Sequence, residues 1–155
     1  MVSGQTRLTY AEFGERVERL AFGLLSEGVV PGDRVAYLSF NTHQLLEGYF
    51  GVPLIRAIAM PLNVRLTPAE LIAILNHAEP RVLVYEADFA PAVEQLRVAC
   101  PGVQRWVQAG TEYEELLGRG RIQRPDIFTF DEREIAELFY TSGSTGTPKG
   151  VTLSH

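Results

Sequence analysis

The segment LTYAEFGERVERLAFGLLSEGVVPGDRVAYLSF, Leu8–Phe40, decides how the chain is read. Thr9 followed by Glu12 forms a capping-box pattern, which starts a helix. Behind it Phe13, Val17, Leu20, Ala21, Leu24 and Leu25 recur at helical spacing. Gly28 stands where a helix would stop. Pro31-Gly32 makes a turn, and Arg34 to Phe40 (RVAYLSF) reads as a buried strand. One amphipathic helix followed at once by an apolar strand is the first half of an α/β unit.

The same alternation continues outward. Thr42 to Arg56 reads as a second, more apolar helix, with Pro53 near its end or kinking it. Ala57 to Leu62 is a short strand. Thr67-Pro68-Ala69-Glu70 combines an N-cap, a proline at the first helical position and a closing glutamate. The helix it opens carries Leu71, Ile72, Ile74 and Leu75 and ends before Pro80. Arg81 to Tyr85 is a strand, Asp88 to Cys100 a helix, and Val103 to Val107 a strand holding Trp106. Glu112 to Leu117 is a short helix, and Gly118 to Asp126 is polar and loop-like. Ile135 to Tyr140 (IAELFY) is a last buried strand before TSGSTGTPKG, and GVTLS opens another. The pattern predicts an α/β fold, with a largely parallel sheet covered by helices. No internal repeat or low-complexity segment interrupts it.

Composition narrows the function classes. With 155 residues and 46% hydrophobic content, the chain can bury a core of its own. A net charge of -5 argues against a nucleic-acid partner, which calls for a basic face. The single cysteine, Cys100, permits no internal disulfide and no Cys/His zinc set, and reads as a small apolar residue late in a helix. No apolar run approaches the roughly 20 residues of a membrane span, and the opening residues lack a signal-peptide core. A cytoplasmic protein is the expectation. Thirteen of the basic residues are Arg, so the one lysine, Lys149, stands out.

Lys149 lies in the stretch that carries chemistry. Thr141, Ser142, Gly143, Ser144, Thr145, Gly146, Thr147, Pro148, Lys149 and Gly150 contain five hydroxyls, three glycines and one ammonium. A triphosphate presents a dense set of anionic oxygens. Glycines let backbone N–H groups approach them closely, hydroxyls add donors, and a lysine adds a mobile point charge. Composition alone leaves a Ser/Gly/Thr linker as an equal alternative. The placement between two apolar strands and the unique lysine weigh against it. A Walker loop, G-x-x-x-x-G-K-[ST], fails in register: counted from Gly143, its second glycine would fall at Pro148. Gly150 also follows Lys149 where a hydroxyl would be needed, and a strand follows where a Walker loop requires a helix.

YTSGSTGTPKGVTLSH, Tyr140–His155, resembles the phosphate-loop motif of the adenylate-forming (AMP-binding) superfamily. That superfamily includes acyl-CoA synthetases, luciferases and the adenylation domains of peptide synthetases. Upstream, the Leu8–Asn41 stretch with its PGDRV turn (Pro31–Val35) is similar to the family's N-terminal helix and strand. MPLNVRLTPAEL, Met60–Leu71, resembles the form found in fatty-acyl-CoA synthetases. The resemblance covers nearly the whole chain. It implies part of the N-terminal domain of an acyl-CoA synthetase-like enzyme, residues 1–155, ending just after the phosphate loop at 140–150. It implies ATP-dependent, AMP-forming activation of a carboxylic acid, a fatty acid foremost, to acyl-AMP and then acyl-CoA. ATP, Mg2+ and coenzyme A follow as cofactors, with a small carboxylic acid as partner and a homo-oligomer as an open option. Thr141, Ser142, Gly143, Ser144, Thr145, Gly146, Thr147 and Lys149 would hold the β- and γ-phosphates. No catalytic residue or metal ligand is assigned, because the family's later motifs for adenine, magnesium and the catalytic lysine are not in this sequence. The chain alone is therefore expected to be inactive. The alternative is a non-enzymatic piece that binds nucleotide, polyphosphate or a partner.

Several residues take ordinary readings. Ile55-Arg56 departs from the family's usual Ala-Gly, and Arg56 either strains the turn or points into solvent, the second being favoured. His43 and His77 read as helix-surface residues. His155 ends the motif in a role left open between packing and shaping the site. Glu114-Glu115 and Asp131-Glu132 read as solvated helix starts. Asn63 and Arg65 read as a turn residue and an ion-pair residue.

Overall fold

The computed structural model describes residues 1–119, 131–141 and 148–155. A small antiparallel hairpin, β1 (Val2–Ser3) and β2 (Thr6–Arg7), precedes helix α1 (Tyr10–Ser26). Thr9 and Glu12 close the expected capping box: Glu12 N donates to Thr9 Oγ1 at 3.2 Å and Thr9 N to Glu12 Oε2 at 2.7 Å. The helix ends at the positive-φ Gly28, in the left-handed region that costs glycine nothing. Strand β3 (Arg34–Leu38), helix α2 (His43–Leu54), β4 (Ile58–Pro61) and α3 (Pro68–Ala78) follow. Pro53 falls in the last turn of α2 and does not break it. Thr67 and Glu70 cap α3 as Thr9 and Glu12 cap α1.

Beyond β5 (Val82–Tyr85) the sequence suggests one helix, and the chain forms two pieces. A single 3-10 turn at Ala87–Phe89 leads into α4 (Ala90–Ala99). Pro91 lacks the N–H that a continuous helix would use there, and it sits instead in the first turn of α4, where that donor is not needed. Strand β6 (Arg105–Gln108), helix α5 (Thr111–Arg119), and strands β7 (Ile135–Thr141) and β8 (Lys149–Ser154) complete the described chain. Asp131-Glu132 lies in a turn before β7, not at a helix start, with Glu134 N donating to the Asp131 carbonyl at 2.9 Å.

The main sheet has the order β6-β5-β3-β4-β7-β8. All pairings are parallel except the last, β7 with β8, which is antiparallel. Strands that leave through helices must return parallel, whereas β7 and β8 are joined by a short connection and pair as a hairpin. Alternate residues of the strands feed two cores. Val35, Tyr37, Ala59, Val82, Val84 and Val107 pack under α1, α2 and α5. Ala36, Leu38, Met60, Leu83, Tyr85 and Trp106 pack under α3 and α4. The strands are apolar on both faces because both faces are covered. Helices α1 and α5 cross so closely that a Cβ on Gly23 would sit 2.3 Å from the Leu116 carbonyl oxygen.

One charged group lies inside this packing. Glu47 on α2 is fully buried. It accepts from Arg16 Nε of α1 at 2.6 Å and from the Tyr113 hydroxyl of α5 at 2.8 Å. Arg16 reaches on to Glu114 of α5 at 2.6 Å. Glu114 is thus not a purely solvated helix-start acid. Its pairing with Arg16 holds its carboxyl below the usual carboxylate range, and burial pushes Tyr113 and Tyr37 above the ordinary phenol range. A buried charge demands a partner, and here α1 and α5 supply it.

Arg56 also departs from the expected reading. Its φ is +60°, a left-handed position that suits glycine better, and its guanidinium forms an ion pair with Glu134 just before β7 instead of pointing free into solvent. Asn63 is the expected turn residue, accepting from Arg65 N at 3.0 Å. Arg65 is exposed and, among the described residues, makes no ion pair.

Candidate phosphate-binding hairpin

The β7–β8 hairpin carries the stretch singled out by its chemistry. Its register pairs Phe139 with Val151, Tyr140 with Gly150 and Thr141 with Lys149. Two of the proposed phosphate-holding residues, Thr141 and Lys149, therefore face one another across the last pair of the ladder. Both are exposed. Ser142, Gly143, Ser144, Thr145, Gly146 and Thr147 lie outside the described residues. Among the described residues Lys149 makes no ion pair, so its ammonium is not committed to a carboxylate.

The hairpin is held from one side. Leu138 and Tyr140 pack against the core beneath α3 and α4. A Cβ on Gly150 would lie 3.2 Å from Leu138 Cδ1 and 3.6 Å from Tyr140 Cζ, so a glycine there leaves room for Leu138 beside the partner strand. The Tyr140 hydroxyl is 2.6 Å from His77 Nδ1 on the last turn of α3. His77 is thus more than a lone surface residue. The two residues are far apart in sequence, and no local spacing signals their contact. His43, the first residue of α2, is half-buried, and burial lowers its pKa. His155 follows β8, exposed, and lines an open cleft with Tyr49, Phe50, Pro53, Ala136 and Leu153.

The electrostatic pattern suits an anion. Thr141 contributes a hydroxyl and Lys149 a cation. Among the described residues no group of three or more His, Cys, Asp or Glu stands together as a metal site. No described helix is long and apolar enough to cross a membrane. Cys100 is buried at the end of α4, where burial raises its pKa, in keeping with a packing role.

Comparison with known proteins gives the family. Residues 1–155 match the family profile described as AMP-binding enzyme. The chain is 42% identical over 156 aligned positions to a long-chain-fatty-acid–CoA ligase of Thermus thermophilus, covering 96% of this chain and 28% of that ligase. It is 41% identical to a feruloyl-CoA synthase of an Amycolatopsis species, covering 98% of this chain and 29% of that protein. Among solved structures it superposes on a fatty acyl CoA synthetase of Mycobacterium tuberculosis with a TM-score of 0.87 at 29% identity, covering 97% of this chain and 30% of that one. The chain belongs to the AMP-binding enzyme family. Its α/β architecture is that of acyl-CoA synthetases, and it spans less than a third of the length of these ligases.

Proposed function

We propose that these residues form the part of an AMP-forming carboxylate–CoA ligase that grips the triphosphate of ATP. The observation that carries this is the hairpin, which sets Thr141 opposite Lys149 at the two roots of the TSGSTGTPKG stretch. In the reaction, a carboxylate oxygen attacks the α-phosphorus of ATP. The bond from that phosphorus to the bridging oxygen breaks, and pyrophosphate leaves with the electron pair. Charge therefore grows on the β- and γ-phosphate oxygens. A lysine ammonium and a set of N–H and O–H donors stabilise that charge more in the transition state than in the ground state. The thiolate of coenzyme A then attacks the acyl carbonyl, and AMP departs.

Lys149 and Thr141 are assigned to the phosphate oxygens, together with Ser142, Gly143, Ser144, Thr145, Gly146 and Thr147. No described residue is assigned to Mg2+. The names of the fatty-acid–CoA ligase relatives support an apolar, fatty acid as the substrate. Residues 1–155 are proposed as a partial N-terminal domain of a cytoplasmic enzyme, able to bind triphosphate and silent in turnover by itself. The test is ATP–pyrophosphate exchange by the protein purified from its source, with a panel of acids from acetate to palmitate. Acid-dependent exchange supports the ligase. Triphosphate binding with no exchange for any acid, by a source protein that extends to the length of these ligases, would favour the second reading, a non-catalytic polyphosphate-binding protein.

A further inference from the structure

Tyr140 occupies a particular place. It is the last residue before Thr141 and the cross-strand partner of Gly150, the residue after Lys149. Its ring carbon Cζ and hydroxyl would lie 3.6 and 3.7 Å from a Cβ on Gly150. An aromatic ring laid over a cross-strand glycine supplies packing that the glycine cannot. One phenol thus contacts both roots of the 141–149 stretch. Its hydroxyl is tied to His77 Nδ1 at 2.6 Å, with the rings edge to face at 5.9 Å.

His77 is itself fixed. It lies on the last turn of α3, whose Leu71, Ile74 and Leu75 are buried. The end of that helix is clamped to β3 by Arg34, whose Nε donates to the Ala78 carbonyl at 2.6 Å and Nη2 to the Glu79 carbonyl at 2.9 Å. The ladder from β4 to β7 is registered at Ala59 and Glu137, three residues short of Tyr140. Beyond Glu137 the strand is held by Leu138 and Tyr140 packing on the core beneath α3 and α4, and the Tyr140–His77 contact adds a polar tie from the hairpin to α3.

We propose that His77 is a positioning residue for triphosphate binding: through Tyr140 it sets where Thr141 and Lys149 stand. This rests on reading the hairpin as the triphosphate grip. A point charge and a few donors act on phosphate only while held in register, and a small displacement of their base weakens every contact they make.

The test uses the whole chain with inorganic tripolyphosphate as probe, titrated by calorimetry, and amide exchange at Tyr140, Thr141, Lys149 and Gly150 without ligand. Wild type is compared with His77→Ala, Tyr140→Phe, the double variant and His77→Asn, which keeps a polar atom near the Nδ1 position. Each single loss is expected to weaken binding about threefold to tenfold, the range of one hydrogen bond. The double variant is expected to be no worse than either single one, because both remove the same contact. His77→Asn should recover most of the affinity, and exchange at the four amides should rise in the first three variants while β3 and β5 stay protected. If wild type binds and His77→Ala and Tyr140→Phe bind equally well, the positioning role is wrong and the grip stands. If wild type does not bind, the grip reading fails and the positioning role for triphosphate fails with it; ligand-free exchange then shows only whether the contact holds the hairpin. Tyr140→Phe keeps the ring over Gly150, so it remains informative if His77→Ala fails to fold.

Discussion

Replacing Arg16 by Met should be among the most damaging single changes in this chain. Arg16 gives Glu47 its only cationic partner among the described residues, at 2.6 Å, and Glu47 has no exposed surface. Removing Arg16 leaves a carboxylate inside the α1–α2–α5 junction with only the Tyr113 hydroxyl to meet it. Breaking a buried pair from one side costs about 3–5 kcal/mol. Arg16 is itself about a fifth exposed, so water can reach the gap, and about 3 kcal/mol is expected. Against a total stability of about 5–15 kcal/mol for a domain, that is a large fraction. Urea unfolding followed by fluorescence of Trp106, the only tryptophan and a buried one, reads it directly. The double variant Arg16→Met/Glu47→Leu removes both charges and should recover much of the loss, since apolar replacement of a whole buried pair is often near neutral. A loss under about 1 kcal/mol for Arg16→Met, or a double variant worse than the single one, would refute the reasoning.

Other expectations follow from the same packing. Gly23→Ala places a methyl 2.3 Å from the Leu116 carbonyl oxygen, and the clash should outweigh the helix-propensity gain, lowering stability by about 2 kcal/mol; a raised melting temperature would contradict the close α1–α5 crossing. Thermal stability should be flat from about pH 5 to about pH 9.5 and fall on either side. On the acid side, Glu114 has a lowered folded pKa through Arg16, so its contribution is present above the ordinary value of 4.5 and is lost as pH falls through the folded value. On the alkaline side, burial raises Tyr37 and Tyr113, so their contribution is full below the ordinary value of 10 and is lost as pH rises beyond it. A melting-temperature series from pH 3 to pH 11 checks both limbs, and Arg16→Met should flatten the part due to Glu114.

Much of this was legible in the sequence because it is local. Thr9 with Glu12 and Thr67 with Glu70 start helices through neighbours three residues away, and both capping boxes form. The apolar runs at Arg34–Leu38 and Val82–Tyr85 are strands because both sheet faces are covered. The features that were not legible depend on distant partners. Glu47 sits in a largely apolar helix where nothing nearby in sequence answers its charge, and only the arrival of Arg16 and Tyr113, 31 positions before and 66 after, makes its burial possible. Arg56 looked like a solvent-facing substitution until Glu134 was brought beside it. Within the site, Thr141 and Lys149 were expected together and are paired by the ladder. The His77–Tyr140 contact was missed, since it joins residues 63 positions apart whose local patterns are those of an ordinary helix end and a buried strand.

The central claim is that the β7–β8 hairpin grips a triphosphate through Lys149. Titration of tripolyphosphate into the chain, wild type against Lys149→Ala, tests it most directly. Saturable binding of one equivalent, weakened about tenfold by the substitution, is the expected result, since one charge-assisted hydrogen bond to phosphate is worth about 1.5–3 kcal/mol. No saturable binding, or equal binding by both proteins, would contradict it.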